Sequence, residues 1–107
     1  MTLAQVRKLA LKLPEVTEEP HFERTSFRIR GKVIATAIEG EPFLNVMASE
    51  ATREPALAMN PDALEKLFWG AKVSGVTVNL DVADAELVGD LLEKTWRDKA
   101  PKSLLKD

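Results

Sequence analysis

The sequence predicts a small α+β domain, an antiparallel sheet of at least four strands with N- and C-terminal helices packed on one face. Three observations carry that prediction. Apolar residues near both ends recur at helical spacing, those between residues 24 and 48 and near 76–80 alternate with period two, and Gly or Pro punctuates each change of period. At 107 residues, 45% hydrophobic and 30% charged, the chain has the length and composition to bury one core, and residues 1–107 are read as a single domain.

The first helix is expected over Thr2–Leu13. Thr2 and Gln5 have capping-box spacing, Leu3, Val6, Leu9, Ala10 and Leu13 form one stripe, and Pro14 ends it. Glu15–Glu23 reads as a polar loop. In the strand Arg24–Arg30, Phe27 and Ile29 take one face and Ser26, Arg28 and Arg30 the other. Gly31-Lys32 is expected to turn into Val33–Ile38, and Glu39–Pro42 to turn again into Phe43–Ala48. Glu50–Met59 suggests a helix that Pro55 should break, or a shorter one that Pro55 begins. Asn60-Pro61 is read as the start of a short helix presenting Leu64, Leu67 and Phe68 inward, stopped by Gly70. After a Ser74-Gly75 turn, Val76, Val78 and Leu80 form a further strand. The last helix, Asp84–Lys99, has acids at its start, cations at its end and Leu87 or Val88, Leu91, Leu92, Thr95 and Trp96 inward. Trp69 and Trp96 are both expected in the core.

Composition narrows the functional classes. No cysteine means no disulfide, thiolate metal site or cysteine nucleophile, and with no signal peptide or long apolar window the expected location is the cytoplasm. The serines lie in neither G-x-S-x-G nor S-x-x-K, and the glycines form neither dinucleotide nor P-loop fingerprints. No enzyme, cofactor or metal is therefore expected. His21 is the single histidine, too little to define a metal site by spacing.

Charge is unevenly distributed. Residues 1–38 carry seven Lys/Arg against four Asp/Glu, residues 39–93 three against eleven, and residues 94–107 five against two. Arg24, Arg28, Arg30 and Lys32, with Lys72 further on, are candidate phosphate contacts. The competing reading is a solvated sheet face whose arginines pair with Glu23, Glu39 or Glu41. The terminal cations Lys94, Arg97, Lys99, Lys102 and Lys106 suit a helix C-terminus.

Leu13-Pro14-Glu15-Val16, Glu19-Pro20-His21-Phe22 and Ser26–Lys32, then Asn45 within Phe43–Val46, Trp69-Gly70, and Glu93–Trp96 followed by Ala100-Pro101-Lys102, resemble MmcQ/YjbR-like proteins in order and spacing along almost the whole chain. The resemblance implies a CyaY-like α+β fold and a DNA-binding label, with paired wings of loops and strands rather than a helix-turn-helix. Relatives often carry several arginines in the late strand, whereas Ala71–Asn79 has Lys72 alone.

The expected function is thus a non-catalytic protein that binds nucleic acid weakly through Arg24, Arg28, Arg30, Lys32 and Lys72. The alternative is a protein- or small-ligand-binding module with His21, Ser26 and Asn45 around a pocket. Iron binding by Glu15, Glu18 and Glu19 rests on analogy with frataxin-like folds.

Overall fold

The computed structural model describes residues 1–105. In chain order it contains α1 (Leu3–Leu11), β1 (Val16–His21), β2 (Arg24–Ile29), β3 (Lys32–Ala37), β4 (Phe43–Val46), α2 (Glu50–Met59), β5 (Leu64–Trp69), β6 (Lys72–Asn79), α3 (Ala85–Lys99) and a 3₁₀ turn, Lys102–Leu104. The strands form one antiparallel sheet in the order β1-β2-β3-β4-β6-β5. Helices α1 and α3 pack on each other and on the same sheet face, and α2 lies beside α3 over β5 and β6.

Local chemistry sets the helix ends. Thr2 and Gln5 form the reciprocal capping box, and Asp84 accepts a hydrogen bond from the Leu87 backbone N–H at 2.9 Å. In α3 the buried stripe is Val88, Leu91, Leu92, Thr95 and Trp96, and the Trp96 indole N–H donates to the Pro14 carbonyl at 3.0 Å, tying the end of the chain to the exit of α1. Helix α2 runs through Pro55 unbroken. The backbone N–H missing at Pro55 would have served the Ala51 carbonyl, and both residues lie on the exposed side, where water can replace that bond.

The unbroken α2 corrects one expectation, and four more are corrected. The segment read as a loop contains β1, an edge strand with only Val16 buried. Its acids and Pro20 are compatible with an edge, which pairs on one side only. The β2–β3 turn is Arg30-Gly31, one residue earlier than expected, with φ of 47° and 83°. Leu64–Trp69 is a strand, although Asn60 still begins a single helical turn by accepting from the Ala63 and Leu64 N–H groups. The spacing of Leu64, Leu67 and Phe68 mimics a helix, but pairing with β6 places Leu64 in the core and Leu67 on the opposite sheet face. Finally, β6 runs straight through Ser74-Gly75. Gly75 is there for a close approach, since a Cβ would sit 2.1 Å from the Val46 carbonyl oxygen of β4.

The core lies between helices and sheet. Phe27, Ile29, Ala35, Ala37, Leu44, Val46, Val76 and Val78 meet Val6, Ala10, Val88, Leu91, Leu92 and Trp96 there. Among the described residues no helix lies over the opposite face.

Candidate functional site

The registers place one residue of each strand in a single transverse row on the open face. Glu19 faces Ser26, Ser26 faces Thr36, Thr36 faces Asn45, Asn45 faces Thr77 and Thr77 faces Glu65. This row is polar from edge to edge. Within it the Thr77 hydroxyl donates to Asn45 Oδ1 at 2.8 Å, and Ser26, fully buried, donates to the Glu19 carbonyl at 2.8 Å. Arg28 Nε donates to Ser26 Oγ at 2.9 Å, and an Arg28 terminal nitrogen stands 3.4 Å from His21 Nδ1.

Around this floor the rim is apolar. The β1–β2 hairpin carries Phe22 at its tip, 97% exposed, and the β5–β6 hairpin carries Phe68 and Trp69, 57% and 83% exposed. These hairpins close at opposite ends of the strands and on opposite edges of the sheet, so they occupy diagonal corners. Sheet twist lifts diagonal corners toward the same side, and bulges at Phe27/Arg28 and Leu67/Phe68 add to it. The resulting trough holds about 880 Å³ and is lined by both corners together with His21, Arg24, Val33, Thr36, Ile38, Asn45, Met47 and Ser74.

Trp69 is therefore corrected from core to rim, while Trp96 is core. Phe22 holds a left-handed φ of 57°, costly for a side chain with a Cβ, and displays its ring to solvent in doing so.

The predicted site residues divide. His21 and Asn45 both line the trough, and Ser26 lies in the polar row beneath it. The cations are scattered. Arg24 is at one end of β2 and Arg30 in the turn beyond the other, about 20 Å away, while Lys72 is three strand positions across the sheet from β2, about 14 Å. Arg24 lines the trough and Lys32 is exposed where β3 begins. Arg30 donates to both carboxylate oxygens of Glu15 at 3.0 and 3.2 Å rather than to Glu23, Glu39 or Glu41. That hydrogen bond holds the Glu15 carboxyl below its ordinary value and raises the Arg30 guanidinium above its own. Lys94 pairs with Asp90 one turn earlier in α3, at 3.0 Å, and Lys106 lies outside the described residues.

The acids of the iron reading are separately engaged. Glu15 is held by Arg30, Glu18 by Arg7 and the Thr25 hydroxyl, and Glu19 by the Thr17 hydroxyl. For Glu18, burial pushes the carboxyl up, but hydrogen bonds from Arg7 and Thr25 outweigh it and the net shift is downward. Arg7 also pairs with Glu39, locking α1 to β1 and to the segment after β3. Among the described residues no cluster of three His, Asp or Glu is arranged to hold a metal ion. A second hollow, about 670 Å³ between α2 and α3, is lined by Asp84, Glu86 and Asp90 and contains none of the predicted site residues. No helix among the described residues is long and apolar enough to cross a membrane.

A six-stranded antiparallel sheet with helices on one face and an aromatic-rimmed trough on the other defines an α+β protein with an open-faced sheet. The chain belongs to the YjbR family, whose pattern it matches over residues 11–98. Its fold is similar to that of the Deinococcus radiodurans protein DR2400, a DUF419 domain, with a TM-score of 0.74 and 22% sequence identity over 89% of this chain and 75% of that one. No curated protein matches it. The expected family and fold are thereby established.

Proposed function

We propose that the chain is a non-catalytic binding module and that its site is the open face of the sheet, which takes a planar, mainly apolar ligand between the Phe22 and Trp69 corners. The observation that carries this reading is the trough itself, with exposed aromatic rings from two separate hairpins over a floor of hydrogen-bonding side chains. Its volume falls in the range of small-molecule sites, and its lining combines apolar walls with a few polar groups. Large exposed aromatic rings gathered on one face are unusual for a surface with no partner. His21 and Asn45 supply donors and acceptors at the floor, with Ser26 and Arg28 behind them.

The non-catalytic part is supported by how the nucleophile candidates are used. Ser26 is buried and committed to the Glu19 carbonyl, while His21 Nδ1 faces an arginine rather than a serine.

Binding of nucleic acid through Arg24, Arg28, Arg30, Lys32 and Lys72 is the second reading. It is favoured by Arg24 and Arg28, which alternate with Ser26 on the open-face side of β2, and disfavoured by the Arg30–Glu15 pair.

The test uses Nile red, an uncharged planar dye. The expected result is saturable binding with enhanced emission, lost in Trp69→Ala and weakened several-fold in Asn45→Ala, while both variants remain folded by circular dichroism. Unchanged dye binding in Trp69→Ala would overturn the site. Anisotropy of a labelled DNA duplex at low salt separates the second reading, which requires binding that Arg24→Ala/Arg28→Ala abolishes.

A further inference from the structure

A further cavity of about 480 Å³ adjoins the trough, and Met47, Trp69 and Ser74 line both. Its remaining walls are Ala48, Ser49, Arg53, Lys72, Val73, Asp98 and Lys99. Three cations from three different elements, α2, β6 and α3, thus converge on one hollow, with Asp98 on its wall and Glu54 beside Arg53, in a chain whose overall charge is -2. Among the described ion-pairing side chains Arg53 is the most buried, with 14% of the side chain exposed. One of its terminal nitrogens donates to the Ala48 carbonyl at 3.2 Å. Its Nε stands 3.5 Å from a Glu54 carboxylate oxygen without the alignment of a hydrogen bond and has no other partner. That Nε is closed off from solvent, so what Arg53 offers an arriving anion is its charge and the remaining donors of its guanidinium.

Resting on the binding-site reading above, we infer that the ligand of the open face carries a phosphate, seated among Arg53, Lys72 and Lys99, with its planar ring on the Trp69 side of the trough: the chemistry of a free nucleotide. Trp69 lines both hollows, so with a ring stacked on its indole the sugar would span the junction and carry the phosphate into the cationic hollow. Ser49, whose side chain makes no cap hydrogen bond to α2, lies on the wall of that hollow and can donate to a phosphate oxygen, while the Ser74 hydroxyl donates to the Leu67 carbonyl at 3.4 Å. The neighbouring Asp98 and Glu54 weaken the positive field, which favours a dianion seated close to the cations over long-range attraction of a polymer.

The experiment titrates adenosine, AMP and inorganic phosphate into the whole protein, read by Trp69 fluorescence with Trp69→Phe as the blank. AMP is expected to bind at least tenfold more tightly than adenosine. That advantage should shrink with added salt and vanish in Lys72→Gln/Lys99→Gln, which retains adenosine and Nile red binding. Inorganic phosphate should compete with AMP and leave adenosine unaffected. If AMP binds no better than adenosine, or fails to bind a protein that takes up Nile red, the phosphate site is overturned while the open-face site stands. If Nile red also fails, both readings fall. Retention of the AMP advantage in the double variant would likewise overturn the assignment of Lys72 and Lys99.

Discussion

The two faces of the sheet are made by alternate residues of the same strands, yet they solve different problems. On the covered face, Phe27, Ile29, Leu44, Val46, Val76 and Val78 are buried beneath helices that bring their own apolar stripes. On the open face, the partners one step along the same strands are Ser26, Arg28, Asn45 and Thr77, and large apolar groups appear at diagonal corners where nothing covers them. The first arrangement is what stability selects. The second leaves Phe22, Phe68 and Trp69 in water, and stability alone does not account for it.

The largest effects should therefore come from truncating the covered face. Leu44→Ala removes a fully buried side chain between sheet and helices and is expected to cost about 2–5 kcal/mol in urea unfolding. Trp69→Ala, larger in volume but on the open face, is expected to stay within about 0.5 kcal/mol of the parent. Comparable losses in the two variants would break the distinction between the faces.

Gly75→Ala probes the seam between β4 and β6. The new methyl would overlap the Val46 carbonyl, so either the strands separate or the ladder shifts, at about 1–3 kcal/mol or more. Amide exchange should then accelerate along Phe43–Val46 and Val76–Asn79, the paired segments, while α1 keeps its protection.

The covered face was legible in the sequence because it follows simple periods. Thr2 and Gln5, the α3 stripe from Val88 to Trp96 and the alternation in β2 each matched the structure. The open face was not, for a physical reason. Leu64, Leu67 and Phe68 have helical spacing because Leu64 serves the core while Leu67 and Phe68 serve the trough, and the sum of two roles on a bulged strand imitates the period of a helix. Likewise β1 has little apolar content because an edge strand is half solvated, so its acids and Pro20 read as a loop. His21 and Asn45 were legible as a pair only through family resemblance. Trp69 carried a signal that was available, an aromatic pair directly before Gly70, at a hairpin rather than within a helix.

Acid should sharpen the contrast between the structural and the open-face charges. Glu18 lies close to the helix-bearing side of the molecule, where Arg7 and Thr25 hold its carboxyl below the ordinary value of 4.5. In the folded state it takes up its proton only at lower pH than in the unfolded chain. Its contribution is therefore fully present above that ordinary value and is lost as pH falls below it. For a pair this exposed, the contribution is expected to be at most about 1 kcal/mol. Urea midpoints measured from about pH 6 to pH 3 should fall less steeply in Glu18→Gln than in the parent. Equal slopes would show that the Arg7 pair contributes nothing measurable to folding.

The smallest expected change in stability is the most informative about the open face. Phe22 adopts a conformation that glycine takes freely, and its ring makes only an edge contact with His21, centroids 5.1 Å apart, while remaining almost wholly in solvent. Phe22→Gly should therefore relieve backbone strain and stabilise the hairpin by up to about 1 kcal/mol, even though a large apolar side chain has been removed. The same variant should bind Nile red more weakly, because one wall of the trough is gone. Higher stability with weaker binding would mean that the strain at Phe22 is retained for the ligand's sake. Lower stability would instead make the ring a packing element of the β1–β2 hairpin, and the trough would lose one of its two aromatic corners as evidence of function.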